Sequence, residues 1–130
     1  MISSINNAGQ ITGISLDANN VAHAFIRDPD GTITSFDVPG AGTGPGQGTF
    51  LGSINNRGVS FGYYVDSANV SHGFVRSVQG TFTIVQAPGA GTSNQQGTQG
   101  GTIADSGLVT GNYIDANYVQ HGYLWISFLP

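Results

Sequence analysis

The sequence predicts an all-β protein: a β-propeller of four-stranded antiparallel blades, with about 2.7 blades in this chain. Three observations lead to this prediction. The chain repeats itself every 49 residues, and its apolar residues alternate over short stretches bounded by turn residues. In addition, no segment keeps the apolar stripe of an amphipathic helix. A β-solenoid is the alternative, although its coils are usually shorter.

The repeat has a constant period. "INNAG" begins at Ile5, "INNRG" at Ile54 and "IADSG" at Ile103, so the spacing is 49 residues both times. An aspartate, a histidine and a glycine keep the same spacing: Asp17, Asp66 and Asp115; His23, His72 and His121; Gly13, Gly62 and Gly111. We therefore expect one repeat domain over residues 1–130, with units of about 5–53, 54–102 and an incomplete 103–130.

Each unit contains four predicted strands. In the second unit, "VSFGYYVD" and "VSHGFVR" alternate apolar and polar residues and are joined by the short turn "SAN". A third strand, "GTFTIVQAP", begins at the turn glycine Gly80. The fourth strand is seen at the end of the first unit, where "GTFLGSIN" follows a glycine-rich loop. Gly62 interrupts the first of these strands, where glycine is expected only if another backbone comes close.

The strand count predicts a homo-oligomer. Eleven strands make fewer than three blades, whereas propellers have about 4 to 8. A dimer is favoured and a trimer is the alternative, with the leading strand of one chain completing the last blade of another. The chain being a fragment of a longer array stays open as a further explanation.

Composition excludes several classes of partner. Three Lys and Arg residues and a formal net charge of −4 do not provide the basic surface that binds nucleic acid or an anionic membrane. The chain has no cysteine, and its first residues lack the features of a signal peptide. A neutral ligand, such as a small polar molecule or a glycan, or a protein partner fits this composition better.

The aspartate and histidine of each unit are the first candidate site. They stand six residues apart across a tight hairpin, so we expect the carboxylate to accept a hydrogen bond from the imidazole in the pairs Asp17/His23, Asp66/His72 and Asp115/His121. The structural interpretation is a hairpin clasp without a cofactor. The functional alternative is that these six residues act in catalysis and that the three histidines hold a divalent metal such as Zn²⁺ or Ca²⁺.

Tyr64 and Tyr113 are candidate ligand-binding residues, together with the three aspartates. The two tyrosines stand near the aspartates and share a strand face with Gly62 and Gly111. If that face is turned to the propeller axis, the tyrosines and the aspartates would line the central channel. The alternative is that both tyrosines fill the space between blades. In that case a ligand would bind at the glycine-rich rim loops, residues 40–48 and 89–97.

Two loops resemble known ligand motifs. "DPDG" (residues 28–31) is similar to the start of a calcium loop, but the later glutamate is missing, so we interpret it as a turn. "PGAGTGPGQGT" is glycine-rich like a phosphate loop, yet no lysine and no helix follow it. We interpret it as a mobile connection.

The motifs "INNRG", "FGYYVDSANVSHGFVR" and "APGAGT" resemble the bacterial HAF-type extracellular repeat, named for its His-Ala-Phe tripeptide. That tripeptide stands here at residues 23–25, and as His-Gly-Phe at 72–74. Residues 121–123, His-Gly-Tyr, depart from it. The resemblance implies tandem blades in an extracellular or periplasmic protein, and it transfers no catalytic residue.

Two functions follow from these features. The first is a non-catalytic repeat propeller that acts as a binding or structural module. The alternative is a metal-assisted hydrolase of esters, lactones or phosphotriesters, with a channel lined by His, Asp and Tyr. A hydrolase needs one asymmetric or axial metal cluster, whereas a binding module predicts one equivalent pocket in each blade.

Overall fold

The computed structural model describes residues 1–126, which form an all-β protein with 11 strands and no helix. The strands belong to one curled sheet that forms a half-barrel. Within the described residues no helix is long and apolar enough to cross a membrane. The end of the third predicted unit, residues 127–130, lies outside this range. The strands are β1 (Ile2–Ile5), β2 (Ile11–Leu16), β3 (Ala22–Arg27), β4 (Ile33–Phe36), β5 (Gly48–Ile54), β6 (Ser60–Val65), β7 (Ser71–Arg76), β8 (Phe82–Val85), β9 (Gly97–Ile103), β10 (Leu108–Ile114) and β11 (Gln120–Ile126).

The strands form three antiparallel groups, which we call the first (β1–β4), second (β5–β8) and third unit (β9–β11). Consecutive units are joined by single parallel residue pairs, Ala22 with Gly48 and Ser71 with Gly97. The strand "GTFLGSIN" (β5) therefore begins a group, because it pairs with β6 over six residue pairs. β1 pairs with β2 of its own chain. That it also completes a blade of another chain stays a prediction.

A β-bulge explains the glycine inside β6. The β5–β6 register shifts between Leu51 and Ser53, and the extra residue brings the β5 backbone against Gly62. A Cβ atom at Gly62 would collide with the carbonyl oxygen of Phe50 and lie 2.9 Å from the Leu51 Cα. The predicted close approach of a second backbone is thus confirmed here.

Two hydrophobic cores lie between the units. The first joins Ala24, Ile26 and Val38 of the first unit to Leu51, Ile54 and Phe74 of the second. The other joins Phe61, Val75 and Val85 of the second unit to Ile103 and Val109 of the third. Each unit thus has a leading face, which packs on the unit before it, and a trailing face, which packs on the unit after it. Ile54 and Ile103 belong to leading faces, and Ile26 and Val75 to trailing faces.

Candidate functional site

The second unit shows the geometry of the Asp–His clasp. Asp66 Oδ1 accepts the backbone amides of Ala68 and Val70, which closes the hairpin between β6 and β7. Asp66 Oδ2 accepts a hydrogen bond from His72 Nε2 at 2.7 Å. Asn69 adopts a positive φ of 61°, which asparagine tolerates better than most residues. One carboxylate therefore fixes both the turn and the imidazole beside it.

The same clasp forms in the other two units, which confirms the predicted hydrogen bonds. His23 Nε2 lies 2.9 Å from Asp17 Oδ2, and His121 Nε2 lies 2.8 Å from Asp115 Oδ2. His23 also places Nδ1 2.8 Å from Asp37 Oδ1. Because ionised carboxylates only accept hydrogen bonds, both ring nitrogens of His23 are set to donate, and the positively charged imidazolium is favoured.

The clasps shift the pKa of their members. In the first unit, the hydrogen bond from His23 lowers the pKa of Asp17 below its ordinary value of 3.8. The hydrogen bonds to Asp17 and Asp37 raise the pKa of His23 above 6.5. For Asp66, burial raises the pKa, but the hydrogen bonds from His72 and two backbone amides outweigh burial and lower it. All these shifts favour the charged form of the clasp.

The two candidate tyrosines stack on the histidines. The rings of Tyr64 and His72 lie 4.8 Å apart between centroids, and those of Tyr113 and His121 lie 4.9 Å apart. Tyr64 also packs on the first core, and a Cβ atom at Gly40 of the preceding rim loop would lie 3.6 Å from its ring. These contacts place Tyr64 between units, as in the packing alternative. Burial raises its pKa, so its hydroxyl stays neutral.

The structure does not bring the three histidines together. Each imidazole is bound by the carboxylate of its own hairpin, and the hairpins belong to three different units. Within residues 1–126 no group of three or more His, Cys, Asp or Glu side chains is arranged to hold a metal ion. "DPDG" forms a turn, in which the amide of Gly31 donates to the Asp28 carbonyl.

Sequence reasoning missed the function of the first asparagine in "INN". Asn55 Oδ1 accepts the amides of Arg57 and Val59 in its own turn, while its Nδ2 donates to the carbonyl of Ala104, 49 residues later. Asn6 Nδ2 donates in the same way to the carbonyl of Asn55. We call this set of contacts the asparagine ladder. The sequence signal for this ladder is the asparagine that recurs after 49 residues, at Asn6 and Asn55.

The glycine-rich rim loop is held by hydrogen bonds, which corrects its interpretation as a mobile connection. Gly42 donates its amide to the Val65 carbonyl, and Gly46 donates to the Asn20 carbonyl. Gln47 is buried below the loop and donates through Nε2 to Asn69 Oδ1 at 2.9 Å. The loop is therefore anchored to the hairpins of the first and second units.

A cavity of about 400 Å³ lies beside these loops. Strands of the second unit provide Phe50 and Tyr63, whose rings stack at 5.0 Å, and the third unit provides Gln99. The rim loops provide Gly46 and Gln95. The sequence gives no individual signal for these residues, although it predicts the rim loops as the alternative place for a ligand.

No family model, no curated protein and no solved structure matches this chain. The resemblance to the HAF-type repeat therefore stays a prediction.

Proposed function

We propose that this chain is a non-catalytic structural and binding module, a segment of a repeat propeller whose open ends are closed by a second copy of the chain. Each unit acts as a blade, and its two faces pack on its neighbours. The proposal is supported by one comparison, the exposure of equivalent residues at inner and outer faces.

On the leading faces, the isoleucine at the start of the "INN" motif is buried wherever a unit precedes it. Ile54 is 7% exposed and Ile103 is 5% exposed, whereas Ile5 in the first unit is 66% exposed. Ile2 and Ile33 of the first unit are exposed as well. The leading face of the first unit thus has the apolar residues of an interface without the neighbour.

On the trailing faces, the exposed residue is in the last unit instead of the first. Ile26 is 6% exposed and Val75 is 0% exposed, but Leu124, 49 residues after Val75, is 66% exposed. Val119 and Ile126 of the third unit are also exposed. Large exposed apolar surfaces of this kind mark interaction sites.

The two open faces are complementary halves of one interface. Ile26 and Ile54 both belong to the first core, and Val75 and Ile103 both belong to the second. A third core with the same composition would join Leu124 of one chain to Ile5 of another. Because each chain has one open leading and one open trailing face, two chains supply six units and close a ring within the usual range of about 4 to 8 blades.

The proposal does not include metal-assisted hydrolysis, because the histidines are held by their own hairpins. The Asp–His clasps are given a structural role: they close hairpins and support the stacked tyrosines. An extracellular or periplasmic location stays a proposal based on the family resemblance alone.

Light scattering tests the assembly. We expect the chain to have twice its mass of 13.4 kDa. Leu124→Glu and Ile5→Lys should each give a folded monomer, because each places a charge in one half of the interface. Val78→Glu is the control, since Val78 is 59% exposed in the turn between β7 and β8 and lies on neither open face.

Mixing the two monomeric variants identifies the geometry. If a trailing face binds a leading face, Leu124→Glu and Ile5→Lys together regain one unaltered interface and one Glu–Lys contact, so dimers should return. A monomeric mass for the unaltered chain would contradict closure by a second copy. Failure of the mixture to dimerise would contradict the head-to-tail arrangement.

A further inference from the structure

We infer that the cavity between the second and third units, lined by Phe50, Tyr63 and Gln99, is a binding site for a neutral saccharide. This inference rests on the binding role proposed above and names its ligand class. It does not depend on closure of the ring, because the whole cavity lies within one chain.

The size and lining of the cavity suit a small polar ligand. Its volume of about 400 Å³ falls in the range of small-molecule sites, roughly 300–1,000 Å³. Phe50 and Tyr63 provide aromatic surface, with ring planes only 9° from parallel. Sugars combine apolar C–H faces with hydroxyl groups, so they match sites that combine aromatic rings with neutral hydrogen-bonding groups.

The hydrogen-bonding groups of the cavity are uncharged. They are the amides of Asn69, Gln95 and Gln99, the hydroxyl of Ser71 and the phenol of Tyr63. Burial raises the pKa of Tyr63, which keeps its hydroxyl protonated. No Asp, Glu, Lys, Arg or His lines the cavity within the described residues. A phosphate, a carboxylate or an amine would therefore enter without a counter-charge, at a desolvation cost that a neutral sugar avoids.

Several cavity residues differ in type from the residues 49 positions before them. At the first interface, Met1 and Ile14 stand 49 residues before Phe50 and Tyr63. Ala22 likewise stands at the position of Ser71. Packing between units is thus possible with apolar residues at these positions, and the aromatic and polar set occurs once. This predicts one site per chain rather than one per unit.

One lining residue has an unusual backbone. Gln95 has a φ angle of 64°, in the left-handed region that is rare for residues with a side chain. Gln95 stands where the first rim loop has Gly46, with φ of 79°. Glycine would adopt this conformation without strain, whereas glutamine places an amide at the cavity. Strained residues of this kind concentrate at functional sites.

The orientation of one amide is already fixed. Asn69 Oδ1 accepts the hydrogen bond from Gln47 below the rim loop. This hydrogen bond fixes the orientation of the Asn69 side-chain amide, and with it the direction of the Nδ2 N–H groups, before a ligand binds. Such pre-organisation lowers the entropic cost of binding.

NMR titration of the ¹⁵N-labelled chain tests the inference, with the neutral disaccharides cellobiose and maltose as probes. We expect at least one of them to bind saturably with an affinity on the order of millimolar, and to shift the side-chain amide signals of Asn69, Gln95 and Gln99. Gluconate and glucosamine serve as charged comparisons and should bind more weakly.

Gln95→Gly is the decisive variant. It removes the amide and relieves the backbone strain, so the fold should be at least as stable, while affinity should fall about five- to tenfold. Gln79→Ala, in the exposed turn between β7 and β8, is the control outside the cavity and should leave affinity unchanged. The monomeric Leu124→Glu chain should bind the sugar as well as the unaltered chain, which separates this test from that of assembly.

Three results would overturn the inference. These are the absence of saturable binding by both disaccharides, shifts confined to residues outside the cavity, and equal or tighter binding of gluconate or glucosamine. Unchanged affinity of the decisive variant, Gln95→Gly, would overturn it as well.

Discussion

The Asp–His clasp of the second unit can be tested by changing His72 to alanine. The substitution removes the hydrogen bond to Asp66 Oδ2 and the ring that stacks on Tyr64. The Asp66 carboxylate still accepts two backbone amides through Oδ1, so the hairpin itself should keep its turn. The expected loss is therefore limited to the contacts that the imidazole makes.

The magnitude follows from these two contacts. A hydrogen bond to a charged group contributes about 1.5–3 kcal/mol when buried, but the side chains of His72 and Asp66 are 23% and 27% exposed, so water reduces this contribution to about 0.5–1.5 kcal/mol. Stacked aromatic rings add about 0.5–1.5 kcal/mol. We expect His72→Ala to lower the free energy of unfolding by about 1–3 kcal/mol.

Urea denaturation followed by circular dichroism measures this loss. His72→Phe keeps a ring on Tyr64 and removes the hydrogen bond, so it should be destabilised less than His72→Ala, and the difference reports the stacking. Gln79→Ala, in the exposed turn between β7 and β8, is the control and should stay within about 0.5 kcal/mol of the unaltered chain. If His72→Ala kept full stability and lost a measurable binding or catalytic activity, the structural interpretation of the clasp would be wrong.

Three further predictions concern the backbone, the ladder and pH. Gly62→Ala should cost about 3 kcal/mol or more, because its Cβ collides with the β5 backbone, whereas Gly52→Ala, whose Cβ has no neighbour nearer than 3.4 Å, should change stability by less than about 1 kcal/mol in thermal unfolding. Asn55→Ala should cost about 2–3 kcal/mol in urea denaturation, since it leaves turn amides and an inter-unit carbonyl without partners. The raised pKa of His23 adds stability that is complete below pH 6.5 and disappears as pH rises through the folded-state value. The lowered pKa of Asp17 adds stability that is present above pH 3.8 and disappears on acidification, so the advantage of the unaltered chain over His23→Gln, measured by melting temperature, should be larger at about pH 5.5 than at about pH 8.5. An advantage that grew with pH would contradict the assignment of the charges.

Strands and hairpins could be predicted because they depend on neighbours in sequence. Alternation located the strands that became β6 and β7, and the six-residue spacing of Asp66 and His72 located the clasp across their hairpin. The close approach at Gly62 was also predictable, since glycine inside a strand needs a reason. Its cause is a bulge in the partner strand β5.

The grouping of strands could not be derived in this way. β5 stands between two sets of strands of similar composition, and its pairing with β6 depends on the path of the rim loop rather than on local pattern. The cavity was missed for a related reason. Phe50 and Gln99 stand at equivalent positions of consecutive units but differ in type, so the repeat pattern gives no signal for either of them.

The asparagine ladder makes the stability of each unit depend on the next one. Asn55 is satisfied only when the backbone of the third unit is folded against it, just as Asn6 needs the second unit. The chain is therefore a one-dimensional array of nearest neighbours, in which an interface forms or is lost as a whole. In the monomeric Leu124→Glu chain, unfolding should therefore start at an open face and pass inward one unit at a time. Hydrogen exchange in that variant should be slowest in the second unit, the one with a folded neighbour on both sides.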